Sequence, residues 1–283
     1  MDLDTRHLRA LVAVVDEGTF TDAAIALRTS QASVSRSVQR LEAVVGHRLL
    51  ARSTRHVELT ATGERVLAHA RRVLAAVDRL AEAAATDTGR LVVGYAWAAL
   101  GEHTVAVQRG WAAAHDAELE LVHANTATAG LLEGRCDTAI VRVEPTDPRV
   151  TAAQVGEEHR VACLAEDHPL AARDTLVLAD LVGETIAVDA VSGTTSAGLW
   201  PREASPGFRS TTSVDEWLTL IAAGRCVGVS SEATAAQHPR RGVVFRPLTD
   251  APAIAVRVVW WRDEPPARLE AFLDLCRSAY AAG

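Results

Sequence analysis

Residues 18–46, GTFTDAAIALRTSQASVSRSVQRLEAVVG, carry the clearest fold signal in the N-terminal part of the chain. Its first half predicts a short helix over 22–28, capped by the hydroxyl of Thr21. After a tight connection, a second helix is predicted over 31–45, because Gly46 is a typical helix terminator. The apolar residues of this longer helix share one stripe and predict its buried side: Val34, Val38, Leu41 and Val45.

The opposite side of the 31–45 helix is polar and basic, and it projects Ala32, Ser35, Arg36, Gln39 and Arg40. Glutamine can pair with adenine and arginine with guanine in the major groove of DNA. The whole chain carries a net charge of −7, yet residues 28–56 hold six arginines against one glutamate. A polyanion responds to such a local patch, because salt screens charges beyond about 8 Å. The same helix spacing also occurs in three-helix cores without DNA, so the basic patch is what favours double-stranded DNA as partner.

The flanking segments complete a small domain and add a long helix. Residues 49–59 predict two short strands joined by an arginine-bearing turn, and residues 60–85 predict a helix capped by Thr60. Its apolar residues follow a near-heptad spacing and predict a dimerisation seam: Val66, Ala70, Val73, Val77 and Leu80. The alternative is a lone helix packed on its own domain. We favour dimerisation, because the preceding helices are too few to cover so long a stripe.

Beyond a polar break at 86–89, strand-like and helix-like runs alternate. The predicted strands cover 91–97, 119–124, 138–143, 160–165, 185–189, 227–230, 243–248 and 253–262. The predicted helices cover 102–115, 126–134, 214–224 and 266–281. This alternation predicts an α/β domain with mainly parallel sheets. Nearly 200 residues are enough for two lobes, and ligands of such folds bind where strand ends meet helix N-termini.

Composition and motifs exclude several classes of protein. The 283 residues are 48% hydrophobic and 23% charged, which is typical of globular chains. We find no apolar run of membrane-spanning length and no secretory signal, and the four cysteines form no CxxC pair, so we expect a cytoplasmic protein. The G-x-S-x-G, P-loop, G-x-G-x-x-G and H-E-x-x-H motifs are absent from the sequence, so we expect no enzyme, no metal and no cofactor. Two alternatives to a sequence-reading DNA-binding protein stay open at this point: an α/β enzyme with a helical appendage, and a nonspecific architectural DNA-binding protein.

The ordered motifs of the first part of the chain resemble those of one family. They are Arg6–Arg9, Gly18–Ala24, Ser30–Glu42, Val45-Gly46, Leu49–Arg55 and Leu59–Glu64. Over residues 6–74 the chain resembles the DNA-binding domain and linker helix of LysR-type transcriptional regulators. Weaker matches continue at Leu91–Gly94, Leu132–Ile140, His168–Ala171 and Ile221–Val229.

The resemblance implies an α+β multidomain fold. A winged helix-turn-helix would occupy 1–59 and a linker or dimerisation helix 60–88. A two-lobed α/β effector domain, similar to periplasmic binding proteins, would occupy 89–283. Lobe I would comprise 91–160 and 248–283, and lobe II 161–247. The implied protein is a DNA-binding regulator, active as a dimer or tetramer on a dyad-symmetric operator and modulated by a small molecule bound between the lobes.

The resemblance also implies roles for individual residues. Gln31, Ser35 and Arg36 match base- and phosphate-contacting positions, Arg52 and Arg55 match the wing, and Arg6 and Thr21 match backbone-phosphate positions. The remaining predicted DNA contacts are Ser33, Gln39 and Arg40. The predicted effector contacts are Ala96, Trp97, Ala98, Asn125, Thr126, Ser192, Thr194, Thr195 and Ser230.

Each effector position has a structural alternative. Trp97 could be core, Thr126 and Thr194 helix caps, and Asn125 a turn residue. Effectors in this family are often organic or aromatic acids. A redox role for Cys163 or Cys226, as in some family members, competes with the default of a buried, inert thiol.

Overall fold

A computed structural model describes residues 3–51, 57–84 and 89–282, and the chain divides into two compact units. One unit is built from the first 87 residues together with 132–135, and the other from the rest. None of the helices in the described ranges combines the length and the apolar character that crossing a bilayer requires.

The described residues of the N-terminal unit form four α-helices: α1 (Thr5–Asp16), α2 (Phe20–Ala26), α3 (Gln31–Val45) and α4 (Ala61–Ala84). The prediction for α3 is confirmed, since Ser30 caps its first turn and Gly46 ends it in the left-handed conformation at φ +77°. The cap predicted for α2 is wrong. Thr19, not Thr21, accepts the hydrogen bond from Asp22 N at 3.0 Å, so the helix begins two residues earlier.

Two apolar clusters hold the helices of this unit together. The stripe predicted for α3 is buried at Val34, Val38 and Leu41, which pack on α1, α2 and α4. A short antiparallel bridge joins Leu50 to Leu59 after α3, as expected for a wing. The turn between them, with Arg52 and Arg55, lies outside the described residues.

The start of α4 packs against its own domain, which corrects part of the predicted dimerisation seam. Ala70 is only 2% exposed and lies with Leu67 in the cluster built around α1, and Val66 packs on the same cluster. A side chain buried inside its own domain cannot contact a second copy. Val73, in contrast, is 43% exposed and Val77 is half-buried, while the side chain of Leu80 is not described.

Two five-stranded sheets form the C-terminal unit. The strands are β1 (Arg90–Tyr95), β2 (Glu118–His123), β3 (Thr138–Val141), β4 (Val150–Glu158), β5 (Arg160–Ala165), β6 (Thr185–Asp189), β7 (Gly207–Thr211), β8 (Val227–Ser231), β9 (Val243–Pro247) and β10 (Ile254–Trp261). The helices are α5 (Thr104–Ala114), α6 (Val214–Ala222), α7 (Glu232–Gln237) and α8 (Leu269–Ala282). The first sheet has the order β2-β1-β3-β10-β4, and the second has the order β7-β6-β8-β5-β9.

The sheets are mixed, which corrects the prediction of mainly parallel ones. β1 and β6 pair in parallel with their neighbours, whereas β10 and β5 pair antiparallel with theirs. β5 and β10 are the strands that come directly after the chain has crossed from one sheet to the other. The predicted helix over 126–134 is also wrong, because this segment forms turns. It runs so close to β1 that a side chain at Gly94 would lie 2.0 Å from the carbonyl oxygen of Ala129.

The chain crosses twice between the two sheets. The first crossing joins Glu158 at the end of β4 to Arg160 at the start of β5, and the second runs from Pro247 to Ile254. Buried aromatic residues fill the cores beside the sheets, with Trp111 and Phe272 on the first and Trp217 on the second. The crossings therefore bring the carboxyl end of β4 close to strands of the second sheet.

Candidate nucleic-acid interface and ligand cleft

The polar side of α3 faces solvent. Gln31, Arg36, Gln39 and Arg40 are exposed, whereas Ser33 and Ser35 are half-buried. Within the described residues, no acidic side chain pairs with Arg36 or Arg40. Both guanidinium groups are therefore free to meet phosphate or a base edge.

The one acidic residue of the basic segment is turned inward. The side chain of Glu42 is 12% exposed, and its Oε1 accepts hydrogen bonds from Leu49 N at 2.8 Å and Leu50 N at 3.3 Å. Arg48 lies 3.7 Å from its other oxygen. Glu42 thus fixes the start of the wing. This role of Glu42 was not predicted from the sequence, where the available signal was a single acid among six arginines.

Two predicted phosphate contacts lie at helix starts. Thr21 is exposed in the first turn of α2. Arg6 is also exposed, but its guanidinium forms a 2.6 Å ion pair with Asp4, and this hydrogen bond lowers the pKa of Asp4 to about 2. Arg6 would have to exchange this carboxylate for phosphate in order to contact DNA.

A small cleft of about 40 Å³ opens in the C-terminal unit between residues of the two sheets. Five of the predicted effector residues line it: Trp97, Ser192, Thr194, Thr195 and Ser230. An adjoining recess of about 20 Å³ includes Ala96 and Thr126, and Trp97 and Ser192 line both spaces. Ala98 and Asn125 are not in either lining. Ala98 is buried behind the cleft, and Asn125 donates to Thr212 O at 2.9 Å.

Most hydroxyl groups of the cleft are already hydrogen-bonded to neighbouring groups of the protein. Thr195 Oγ1 donates to Val229 O at 2.8 Å, and Ser230 Oγ lies 2.7 Å from Thr234 Oγ1. Ser192 Oγ donates to Asp189, whose carboxylate also accepts the backbone N–H groups of Val191 and Ser192. Thr126 Oγ1 accepts a hydrogen bond from Gly130 N at 2.9 Å. It therefore acts as a cap, as the structural alternative predicted, but it caps a turn and not a helix.

A buried ionic network that was not predicted from the sequence reaches the cleft through one member, Arg142. Arg142 Nε and Nη2 donate to the two carboxylate oxygens of Glu158 at 2.8 and 2.6 Å. Arg142 also donates to the carbonyl oxygens of Ala98 and Ala99, and Tyr280 Oη donates to Glu158 at 2.9 Å. The available signal was an arginine directly after a fully buried strand.

The pKa values of this network follow from burial and the paired charge. Burial opposes the ionisation of Glu158, but the charge and hydrogen bonds of Arg142 outweigh it, so the pKa of Glu158 is lowered. Burial, followed by the neighbouring Glu158 charge, raises the pKa of Tyr280. The pair is therefore ionised and the tyrosine neutral near pH 7.

A second buried arginine ties both chain crossings to the cleft wall. Arg160 is 6% exposed, and its Nε donates to Pro252 O at 3.0 Å. Its Nη groups donate to the carbonyl oxygen of Thr194 at 3.1 Å and to Thr194 Oγ1 at 3.3 Å. Burial lowers the pKa of Arg160. Arg160, at the first crossing, therefore fixes the position of Thr194 in the cleft lining.

The cysteines offer little thiolate. Cys136, Cys163, Cys226 and Cys276 are buried, and none of these four is in a disulfide. Burial raises the pKa of Cys163 and of Cys226, which disfavours the reactive thiolate form. In the part of the chain that the structure describes, no cluster of three His, Cys, Asp or Glu side chains could hold a metal ion.

Comparison with known proteins assigns both parts of the chain. A family described as LysR substrate binding domain matches residues 84–281, and one described as bacterial regulatory helix-turn-helix protein, lysR family, matches residues 5–64. The uncharacterized HTH-type transcriptional regulator YnfL of Escherichia coli K12 is 34% identical over 195 residues. That alignment covers 65% of this chain, which spans only 65% of the length of YnfL.

Two further proteins are similar over nearly the full length. The Hca operon transcriptional activator HcaR of Escherichia coli K12 is 28% identical over 293 residues, 99% of each chain. The crystal structure of full-length CbnR complexed with its target DNA has a TM-score of 0.69 at 24% identity, covering 98% of this chain and 100% of that one. The structural likeness establishes a shared fold.

Proposed function

Because the chain belongs to the LysR family of bacterial helix-turn-helix regulatory proteins, we propose that it is a sequence-specific DNA-binding transcriptional regulator controlled by a small-molecule effector. The single observation that carries the proposal is the exposed face of α3. There, Arg36 and Arg40 have no acidic partner among the described residues, while the other face is fully packed. A helix supported in this way can enter a major groove without unfolding.

We place the effector in the cleft lined by Trp97, Ser192 and Thr195. Residues of both sheets contribute to its lining, so a ligand there contacts both lobes at once. Such a ligand shifts the population between open and closed lobes if it binds one arrangement better than the other. The resemblance to the family favours an organic or aromatic acid, and such a molecule would need hydrogen-bond donors that face the cleft.

The oligomer we propose is a dimer or tetramer acting in the cytoplasm on a dyad-symmetric operator. The exposed Val73 and the half-buried Val77 remain on α4 as contacts for a second copy. Pairing of two such helices would place two α3 helices one or more turns apart on DNA. Ala70 is left out of this seam because it is buried in its own domain.

The test is the sequence dependence of DNA binding by the full chain. We expect the region upstream of its own gene to bind on the order of a thousandfold more tightly than random DNA of the same length at moderate salt. Fluorescence anisotropy at several salt concentrations measures both affinities. Equal affinity for both DNAs would favour an architectural DNA-binding protein, and no binding to either would contradict the proposal altogether.

A further inference from the structure

A second space in the C-terminal unit is larger than the cleft. Its volume is about 180 Å³, against about 40 Å³ for the cleft. For comparison, an engineered protein cavity of roughly 150 Å³ binds benzene. We call this space the α7 cavity, since Glu232, Ala233 and Ala236 of α7 line it together with the turn Gly101–His103 before α5 and Tyr280 of α8. It is large enough for a molecule the size of one aromatic ring.

The α7 cavity lies where an element after the second sheet packs on an element after the first. α7 follows β8, whereas the turn Gly101–His103 follows β1. The two are in close contact, because a side chain at Gly101 would lie 2.7 Å from the Cβ of Ala233. Gln237 Oε1 also accepts a hydrogen bond from Ala99 N at 2.7 Å. The protein itself therefore holds both walls in place, and a ligand would not have to create the cavity.

The inner walls of the cavity are apolar and aromatic. Leu100 and Ala233 are buried and line it. The rings of His103 and Tyr280 are 4.4 Å apart between centroids. Tyr280 is fixed further by its Oη, which donates to Glu158 at 2.9 Å. These walls suit a small apolar body, because burying apolar surface against them removes it from water.

The charged groups of the lining are mainly negative. Glu102, Glu158 and Glu232 line the cavity, and only Glu158 is matched by an arginine. Glu232 Oε1 accepts a hydrogen bond from His159 N at 2.9 Å. Within the described residues, neither Glu102 nor Glu232 has a cationic partner.

The remaining lining residues do not reverse this charge. No arginine is among them, and the chain contains no lysine. Their single basic side chain is His103, whose charge, if protonated, would offset one of the two unmatched carboxylates. An anionic ligand would therefore meet repulsion at this cavity, whereas a cation would meet carboxylates that are exposed and open to it.

Going beyond the function proposed above, we propose that the α7 cavity is a second ligand site, separate from the cleft, and that it takes a small primary amine in its ammonium form. The ammonium group donates to Glu102 and Glu232, and the apolar body packs against Leu100 and Ala233. Charged hydrogen bonds and apolar burial then act together, so both the charge and the size of the ligand are selected.

The experiment uses the full chain and three probes that share one ring: benzylamine as the cation, benzyl alcohol as the neutral molecule and benzoate as the anion. Isothermal titration calorimetry near pH 7 measures binding. We expect benzylamine to bind with a Kd of about 1 mM or tighter, which is reasonable for about eight heavy atoms. Benzyl alcohol should bind about tenfold more weakly, because it lacks the charge. Benzoate should not displace benzylamine, even if it binds in the cleft.

Carboxylate variants locate the site. Glu102→Gln and Glu232→Gln should each weaken benzylamine binding about fivefold, since each removes one charge and keeps the size of the side chain. Glu102 is exposed and has no hydrogen bond among the described residues, so its replacement leaves the fold intact. The control is Glu270→Gln on α8, an exposed carboxylate outside the cavity lining, which should bind benzylamine like the unaltered chain.

Four results would overturn the inference. They are equal affinity for benzylamine and benzyl alcohol, displacement of benzylamine by benzoate, an equal loss of affinity in Glu270→Gln and Glu102→Gln, and no benzylamine binding up to about 10 mM. Operator binding is measured on the same samples without probe. Its loss contradicts the proposed function, whereas failure of benzylamine to bind a chain that still binds its operator contradicts this inference alone.

Discussion

The DNA-binding face and the cleft hold arginine in opposite ways. On α3, Arg36 and Arg40 are exposed and have no acidic partner within the described residues. Beside the cleft, Arg142 is matched by Glu158, and Arg160 is bound to the oxygens of Pro252 and Thr194. The first pair is available to an incoming polyanion, whereas the second is already used by the protein.

This difference separates two uses of one side chain. An exposed arginine keeps its charge available at little cost, because water solvates it until DNA arrives. A buried arginine must have its donors satisfied within the fold, because desolvation of a lone charge is expensive. The α3 arginines therefore act in recognition, while Arg142 and Arg160 position the backbone that forms the cleft.

The largest effect is expected at the buried pair. Glu158→Gln should lower the free energy of unfolding by about 3–5 kcal/mol, because Arg142 is left buried without its counter-charge. Urea denaturation followed by circular dichroism measures the change. The matched control is Glu120→Gln, which breaks the exposed pair with Arg90 and should cost less than about 1 kcal/mol. Equal losses in the two variants would show that burial does not distinguish these pairs.

The same pair predicts a pH dependence. Because the pKa of Glu158 is lowered in the folded chain, its contribution is complete above its unfolded value of about 4.3 and is lost as the pH falls through the folded value. Below about pH 5, unaltered protein should therefore lose stability more steeply than Glu158→Gln. Denaturant titrations across that range provide the measurement. Parallel curves would mean that Glu158 titrates as in an unfolded chain.

A smaller effect is expected at the exposed arginines. Arg36→Ala should weaken specific operator binding by about 1–3 kcal/mol, since one base or phosphate contact is removed, while the stability of the fold stays nearly unchanged. Fluorescence anisotropy compares it with Arg109→Ala, an exposed arginine on α5 that should have no effect. If Arg36→Ala bound the operator with wild-type affinity, the recognition face would have to lie elsewhere on the molecule.

The smallest change in stability is expected at the cap of α2, the helix that packs against α3. Thr19→Ala should cost about 1 kcal/mol of stability, because it removes the hydroxyl that caps α2. Thr21→Ala should cost much less, since its side chain is exposed inside the first turn. Thermal unfolding of the two variants compares them directly. If Thr21→Ala proved the more damaging, the cap would have been placed wrongly.

Features set by neighbouring residues were predictable from the sequence. The bounds of α3 follow from the serine before it, the glycine after it and the apolar stripe between them, and the prediction over 31–45 agrees with the structure. The predicted cap of α2 was wrong by two residues, because Thr19 and Thr21 are both good capping residues and only the backbone path distinguishes them.

Features set by distant residues were not predictable. β7 was missed because four of its five residues are exposed at a sheet edge, so its sequence lacks a buried alternation. β4 was missed because it carries an extra residue, Val155, opposite Val256 and Arg257 of β10, and this bulge breaks the period of two. In the cleft, Arg142 and Glu158 are 16 residues apart, and Tyr280 is 122 residues from Glu158.

Local sequence was enough to predict α2, α3 and α4, the basic side of α3 and the change to an α/β pattern after residue 89, because each depends on residues a few positions apart. The packing of distant segments settled which side of α4 is buried and which arginines are neutralised. Burial and pairing depend on which segments meet in space, and chain crossings bring together residues that the linear order keeps far apart.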